Sequence, residues 1–259
     1  MSQLVGMLDG KKILVTGIYT ERSIAYASAE LAAAEGAELI FTGFGRKMKV
    51  TETIIRRLPI SGPILELDAR EQDHFDTFTD RLREHTDHLD GVIHCMSSSK
   101  PSAVGKHFMT AKWDDIETSL RVSGVSLQAL ATACLPLMSK GGSIVGVTLD
   151  GTPVWPIYGY VGVAKATYES ISRYLAYHLG KHGIRSNLIA CGPLHNPTVA
   201  VIEDIESADG VWEARAPLPW SWQDLQPVSK AVVALLSDWF PSTTGEIIHV
   251  DGGYHVMGM

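Results

Sequence analysis

Lys12-Ile-Leu-Val-Thr-Gly17-Ile-Tyr-Thr-Glu-Arg-Ser23-Ile-Ala25 is the stretch on which the fold turns. A short apolar run ends in a glycine, and an Ala-rich run opens behind a serine able to cap a helix. That helix stops at Gly36, and Glu38-Leu-Ile-Phe-Thr-Gly43 repeats the strand pattern. Working outward, the alternation continues to the end of the chain. The pattern predicts a helix over 48–58, stopped by Pro59, and a strand over 63–67. A helix over 72–85 carries Phe75, Phe78 and Leu82 on one side, and a buried strand covers 91–96. A long helix over 113–138, a strand over 142–147, a second long helix over 158–182 and a strand over 184–190 follow. An irregular stretch with helical pieces over 193–221 leads to a helix over 227–240 and a last strand over 246–250. Regular alternation with apolar strands predicts an α/β fold. The form expected is a single doubly wound parallel sheet of about seven strands, Rossmann-like, with helices on both faces. With no repeat, low-complexity tract or linker, one domain is expected over 1–259.

Composition narrows the function. Lys plus Arg number 22 against 29 Asp plus Glu, a formal net charge of −7, which argues against a basic face for nucleic acid. Cys95, Cys134 and Cys191 are far apart and sit in apolar runs, so they read as reduced core residues of a cytoplasmic protein. The first residues lack the basic and apolar regions of a signal peptide, and no apolar run approaches the roughly 18 residues of a membrane span.

Ligands of doubly wound folds lie outside the carboxyl ends of the strands, so chemistry is sought at Gly17, Gly43 to Gly45, Asp68, Met96 to Ser98, Val147 to Asp150 and Cys191 to Pro193. At Gly17 a strand passes through a glycine into a helix N-terminus, whose free N–H groups favour a pyrophosphate. The full G-x-G-x-x-G fingerprint is absent, so the turn is either a phosphate site or plain structure, and Ser23 serves the cap, the phosphate, or both. Tyr158-x6-Lys165 lies in the second long helix, where seven residues at about 100° each would stack both side chains on one face, about 10.5 Å apart. Such a lysine grips a cofactor while the phenol hydrogen-bonds substrate; the alternative is a surface lysine and a core tyrosine. His178 and His182 read as a solvated helix face, and His94 as a hydrogen-bonded core histidine. Trp212, Trp220 and Trp222 form either an apolar lid or ordinary packing, and Arg46, Lys47 and Lys49 either a solvated run or a place for a 2′-phosphate. Metal-binding, P-loop and hydrolase-elbow motifs are absent.

Over nearly its whole length the chain resembles the enoyl-acyl-carrier-protein reductases of the short-chain dehydrogenase/reductase superfamily, and the mycobacterial type in particular. The resemblance is carried by Lys12-Ile-Leu-Val-Thr-Gly-Ile18, Ser23-Ile-Ala25, Phe41-Thr-Gly-Phe44, Leu65-Glu-Leu-Asp68 and Leu89-Asp-Gly-Val-Ile-His94. It continues through Gly141-Gly-Ser-Ile-Val-Gly146, Tyr158-x6-Lys165, Arg185-Ser-Asn-Leu188, Ala190-Cys-Gly-Pro193, Ala234-Leu-Leu-Ser-Asp-Trp239 and Asp251-Gly-Gly253. It implies hydride transfer from NADH, with NADPH admitted by Arg46-Lys47, to the β-carbon of a trans-2-enoyl thioester on acyl-carrier protein or coenzyme A, within fatty acid biosynthesis. Tyr158 would stabilise the enolate oxygen and Lys165 would hold the nicotinamide ribose. Ser23 and Ile24 would lie at the pyrophosphate, Asp68 and Ala69 at the adenine, Met96 and Ser97 along the adenosine ribose, and Leu194 at the nicotinamide amide. Gly17, Phe44 and Asn196 complete the cofactor positions, and Leu149 joins Tyr158 on the substrate side. A segment at about 194–222 would cover the substrate, and family members are cytoplasmic homotetramers, with neither a membrane nor a nucleic acid as partner. The chain departs from the mycobacterial pattern at Leu149 (an aromatic residue there), Ser97 (a glycine), Asn196 (a threonine) and in a shorter 194–215 segment. These departures leave two alternatives in place, a carbonyl or alcohol oxidoreductase of the same superfamily and a silent nucleotide-binding protein.

Overall fold

The computed structural model describes residues 6–139, 141–195 and 209–258. In chain order they form β1 (Lys12–Val15), α1 (Ile24–Ala34), β2 (Glu38–Gly43), α2 (Met48–Ile55), β3 (Ile64–Glu66), α3 (Gln72–Asp76), α4 (Phe78–Arg83) and β4 (Gly91–His94). Then come α5 (Trp113–Leu120), α6 (Ser126–Cys134), β5 (Gly142–Thr148), α7 (Tyr160–Gly180), β6 (Ile184–Cys191), α8 (Asp209–Arg215), α9 (Gln226–Leu236) and β7 (Ile247–Val250). The seven strands make one parallel sheet in the order β3-β2-β1-β4-β5-β6-β7. Side chains alternate across β1: Ile13 and Val15 pack with α1 and α9 on one face, Leu14 with α3, α4, α6 and α7 on the other. Both faces are covered, which is why the strands read as unbroken apolar runs.

The strand order reverses between β1 and β4, and successive connections leave that point in opposite directions, opening a crevice at the carboxyl ends. Thr16 fastens the crevice floor. Its N–H donates to the Ile93 carbonyl at 3.0 Å, and its Oγ1 accepts from the Cys95 N–H at 3.2 Å.

Several expected helices differ in extent. The helix over 72–85 is broken at Thr77 into α3 and α4, α2 ends at Ile55, and α9 ends at Leu236. The long helix over 113–138 is not uniform. A π-helical segment, Arg121–Val125, separates α5 from α6, and a 3-10 turn, Leu135–Leu137, follows at Pro136. Trp113–Leu137 is long and apolar enough to span a membrane by length and composition, contrary to the run-length reading. It packs against α7, and 56% of its apolar window is buried, the signature of a core helix. The second long helix begins at Tyr160, not at 158. His178 and His182 are exposed, as expected of a solvated face.

Candidate active site

The turn after β1 is shaped by a close approach. Gly17 has φ +86°, and a Cβ there would lie 2.3 Å from the Cys95 carbonyl oxygen, so only glycine fits between β1 and β4. Six residues later Ser23 caps α1, its Oγ accepting from the Tyr26 N–H at 3.2 Å and donating to the Thr20 carbonyl at 2.8 Å. Ile24 opens the helix. Thr20 Oγ1 is buried with no hydrogen-bond partner among the described residues. An unpaired buried hydroxyl beside a helix N-terminus and a glycine cradle fits the phosphates of a dinucleotide.

On the β2 side Phe44 is half-buried, its ring 5.9 Å from that of Tyr19, and the Lys47 ammonium lies 4.1 Å above the Tyr19 ring. Arg46, Lys47 and Lys49 are exposed. Beyond β3 the Asp68 carboxylate is held by Arg70, with Nη2 at 2.5 Å and Nε at 3.0 Å, and accepts the Arg70 N–H as well. The Arg70 hydrogen bond outweighs burial and keeps that carboxyl below the usual range. Ala69 beside it is buried. After β4, Met96 is half-buried against the second core cluster, and the Ser97 hydroxyl lies 3.2 Å from that of Ser123 in the π segment.

Tyr158 and Lys165 do not form a helical stack. Tyr158 lies in the turn before α7. Gly159, at φ 54° and ψ −124°, cannot belong to a right-handed helix, and a Cβ there would lie 2.8 Å from the Gly105 nitrogen. The 100°-per-residue argument and its 10.5 Å separation therefore fail. The Lys165 Nζ reaches the end of β5, and Tyr158 packs on the first core cluster, as does Cys191 at the end of β6. Lys165 is buried and its Nζ donates to the Val147 carbonyl at 2.7 Å. Burial pulls its pKa down to about 8, opposed by Cys95, Cys191 and Glu169. Burial also pushes the Tyr158 phenol well above the ordinary range, so it stays protonated at neutral pH. Leu149, Trp155, Tyr158, Cys95 and Cys191 pack against the same core cluster that contains buried Leu194. An ammonium, a protonated phenol and an apolar wall thus line one end of the crevice.

A family model described as enoyl-(acyl carrier protein) reductase matches residues 17–255. The chain belongs to that family. It is 41% identical to the enoyl-(acyl-carrier-protein) reductase (NADH) of Mycobacterium avium, over 96% of this chain and 98% of the relative. The protein of the same name from Mycolicibacterium smegmatis is 40% identical over the same shares. A Bacillus subtilis relative, enoyl-(acyl-carrier-protein) reductase (NADH) FabI, is 34% identical over 96% of this chain and 97% of its own length.

Within this family frame, some residues were not singled out from sequence. Glu169, buried on α7, accepts from the Thr148 hydroxyl at 2.6 Å and the Gly151 N–H at 2.7 Å, and so pins the loop that carries Leu149 and Asp150. Asp150, at φ 60°, accepts the Trp155 indole N–H on its carbonyl at 2.8 Å. Glu169 lies four residues from Lys165, and that spacing was the available signal. Thr20 had none, because an unpaired hydroxyl is a property of packing. Cys95 and Cys191 are half-buried rather than core, and line the crevice; Cys134 is buried, and all three are free thiols. Trp212, Trp220 and Trp222 are buried, with the Trp220 indole donating to the Pro193 carbonyl at 2.8 Å, so these tryptophans are packing rather than an open lid. Asn196, and residues 196–208 of the expected substrate segment, lie outside the described residues.

Proposed function

We infer that this chain reduces trans-2-enoyl thioesters on acyl-carrier protein with NADH, a step of fatty acid biosynthesis. The observation that carries the reading is the buried Lys165 ammonium bonded to the Val147 carbonyl near the carboxyl end of β5, with the Tyr158 turn and the Gly17 turn at the same edge of the sheet. The names of the relatives, which carry both the carrier protein and NADH, support it. The departures at Leu149 and Ser97 leave these groups in place.

Bound in the crevice, NADH supplies a hydride from nicotinamide C4. Gly17, Thr20, Ser23 and Ile24 receive its pyrophosphate, and Phe44, Asp68, Ala69, Met96 and Ser97 line its adenosine half. Lys165 gives one proton to Val147 and has two left for the ribose hydroxyls. Tyr158 donates its phenolic proton toward the thioester oxygen as negative charge builds there, an oxyanion-type contact strengthened by the dry surroundings. Leu149, Leu194 and Trp155 exclude water from the reacting carbon. A homotetramer belongs to the same reading, supported by the exposed aromatic rings of Trp113, Tyr174 and Tyr177 on α5 and α7.

The test follows oxidation of NADH and NADPH with short and long enoyl thioesters on acyl-carrier protein and on coenzyme A. NADH consumption matched by saturated acyl-carrier protein is the expected outcome. Oxidation of a hydroxyl substrate with no loss of enoyl absorbance would make the chain an alcohol oxidoreductase instead. Tight NADH binding without turnover would make it a nucleotide-binding protein.

A further inference from the structure

Lys165 does not lie alone in its pocket. Three residues further along α7, the Tyr168 ring lies beneath the ammonium, with Nζ 4.5 Å from its centroid. The ring cannot move. It is fully buried, and its hydroxyl stands so close to the β5 backbone that a Cβ on Gly146 would meet it at 2.0 Å. That hydroxyl also lies 2.8 Å from His94 Nδ1 at the end of β4, and His94 Nε2 lies 2.9 Å from Ser126 Oγ. Ser126 in turn donates to the Val122 carbonyl at 2.7 Å, inside the π-helical segment.

The direction of this chain follows from counting protons. The Ser126 proton is committed to Val122, so Ser126 Oγ accepts the Nε2 proton of His94, and Nδ1 is left to accept from Tyr168. His94 is neutral, because burial first and the Lys165 charge second hold its pKa down to about 3. The Tyr168 hydroxyl has His94 Nδ1 as its shorter acceptor and the His94 carbonyl as a longer one at 3.2 Å, so the chain runs one way from Tyr168 through His94 and Ser126 to Val122, and such chains polarise cooperatively. A phenol that gives up proton density becomes richer in π-electrons, and a cation is drawn to that face.

We propose that Tyr168 is a positioning residue, whose ring, locked by His94 and Ser126, holds the Lys165 ammonium charged and turned toward the Val147 carbonyl, so that its remaining protons meet the cofactor ribose. The inference rests on the reading of Lys165 as the ribose anchor. Lys165 is faced by His94 at the end of β4 and Cys95 just beyond it, Cys191 from β6, and Tyr168 and Glu169 from α7. Burial pushes the Cys95 thiol up to about 12 and the Cys191 thiol up to about 11. The loss of charge that NADH senses on mild alkalisation is therefore that of Lys165.

Tyr168→Phe and Tyr168→Met both lose the hydroxyl, but only the methionine loses the aromatic face. NADH binding by intrinsic fluorescence is measured across pH for both variants, for Lys165→Ala and for the unaltered protein. The expected result is a Kd raised about tenfold in Tyr168→Met and only about twofold in Tyr168→Phe. The alkaline fall in affinity should begin about one pH unit lower in the methionine variant. A packing role alone would lower Tm without moving that pH midpoint. Should Tyr168→Met fail to fold, phenylalanines of increasing ring fluorination at 168 keep the shape and weaken the face, and Kd should rise along the series. Coincident Kd and midpoint for Phe and Met, or a flat fluorination series, overturns the role of Tyr168 while that of Lys165 stands. If Lys165→Ala itself binds NADH as tightly as the unaltered chain, the ribose anchor fails first and takes the tyrosine with it.

Discussion

Replacing Lys165 with methionine is expected to make the protein more stable while it weakens NADH binding. The folded lysine has its pKa pulled down to about 8, whereas the unfolded chain holds its proton to about 10.4. Near neutral pH that difference of about 2.4 units amounts to about 3 kcal/mol of destabilisation from the buried charge. Methionine removes it, but strands the Val147 carbonyl, which costs about 1 kcal/mol. A net gain of about 2 kcal/mol remains at pH 7, a rise in Tm of about 6 °C for a chain of this size. The advantage must shrink with pH. Between about 8 and 10.4 the unfolded chain carries a proton that the folded lysine has shed, so the unaltered protein gains stability as pH rises through that window. By about pH 9.5 most of the 3 kcal/mol is recovered and the two proteins should melt together. Denaturant unfolding without cofactor, at pH 7 and near pH 9.5, measures the difference; all other lysines cancel between the two proteins. A variant less stable than its parent at pH 7, or a difference that does not change with pH, refutes the buried charge.

Other perturbations test the remaining parts. Gly17→Ala forces a Cβ onto the Cys95 carbonyl at a positive φ, so stability should fall by about 2–4 kcal/mol and NADH binding should weaken, both seen by titrating cofactor during thermal melts. Glu169→Leu removes the oxygen to which Thr148 and Gly151 both donate, with an expected loss of about 1–3 kcal/mol and a KM for the enoyl substrate that rises more than that for NADH. Thr20→Val removes the unpaired buried hydroxyl at nearly constant volume, so the apo protein should be as stable or more so, while NADH affinity drops by a factor of about 5–10.

The fold was largely legible because the central strands β1, β4 and β5 are mostly buried and announce themselves as short apolar runs. Glu38–Gly43 is the strand its residues suggest, and Ser23 is the cap of α1. The breaks inside helices were not legible. Nothing in Arg-Val-Ser-Gly-Val at 121–125 marks a π turn, since that geometry is imposed by tertiary contacts with α7. The start of the helix before Lys165 was misplaced because Gly159 was treated as one more helical position, whereas its backbone turns the chain. Tyr158 belongs to the β5–α7 loop and Lys165 to α7, so the two do not share a helix face. Tyr168 could have been noticed three residues from Lys165 on the buried side of α7. His94 is the hydrogen-bonded core histidine its residues suggest, but its partner could not be named, because Tyr168 comes from a separate element 74 residues away.

The decisive measurement compares turnover and NADH affinity in Tyr158→Phe and Lys165→Ala, using an enoyl thioester on acyl-carrier protein. The phenylalanine variant should lose a factor of about 10²–10³ in kcat with its NADH Kd within about twofold of the parent. The alanine variant should instead lose NADH affinity. A Tyr158→Phe protein that turns over at the parental rate would contradict the assignment of that phenol to the enolate oxygen, and with it the chemistry proposed for this crevice.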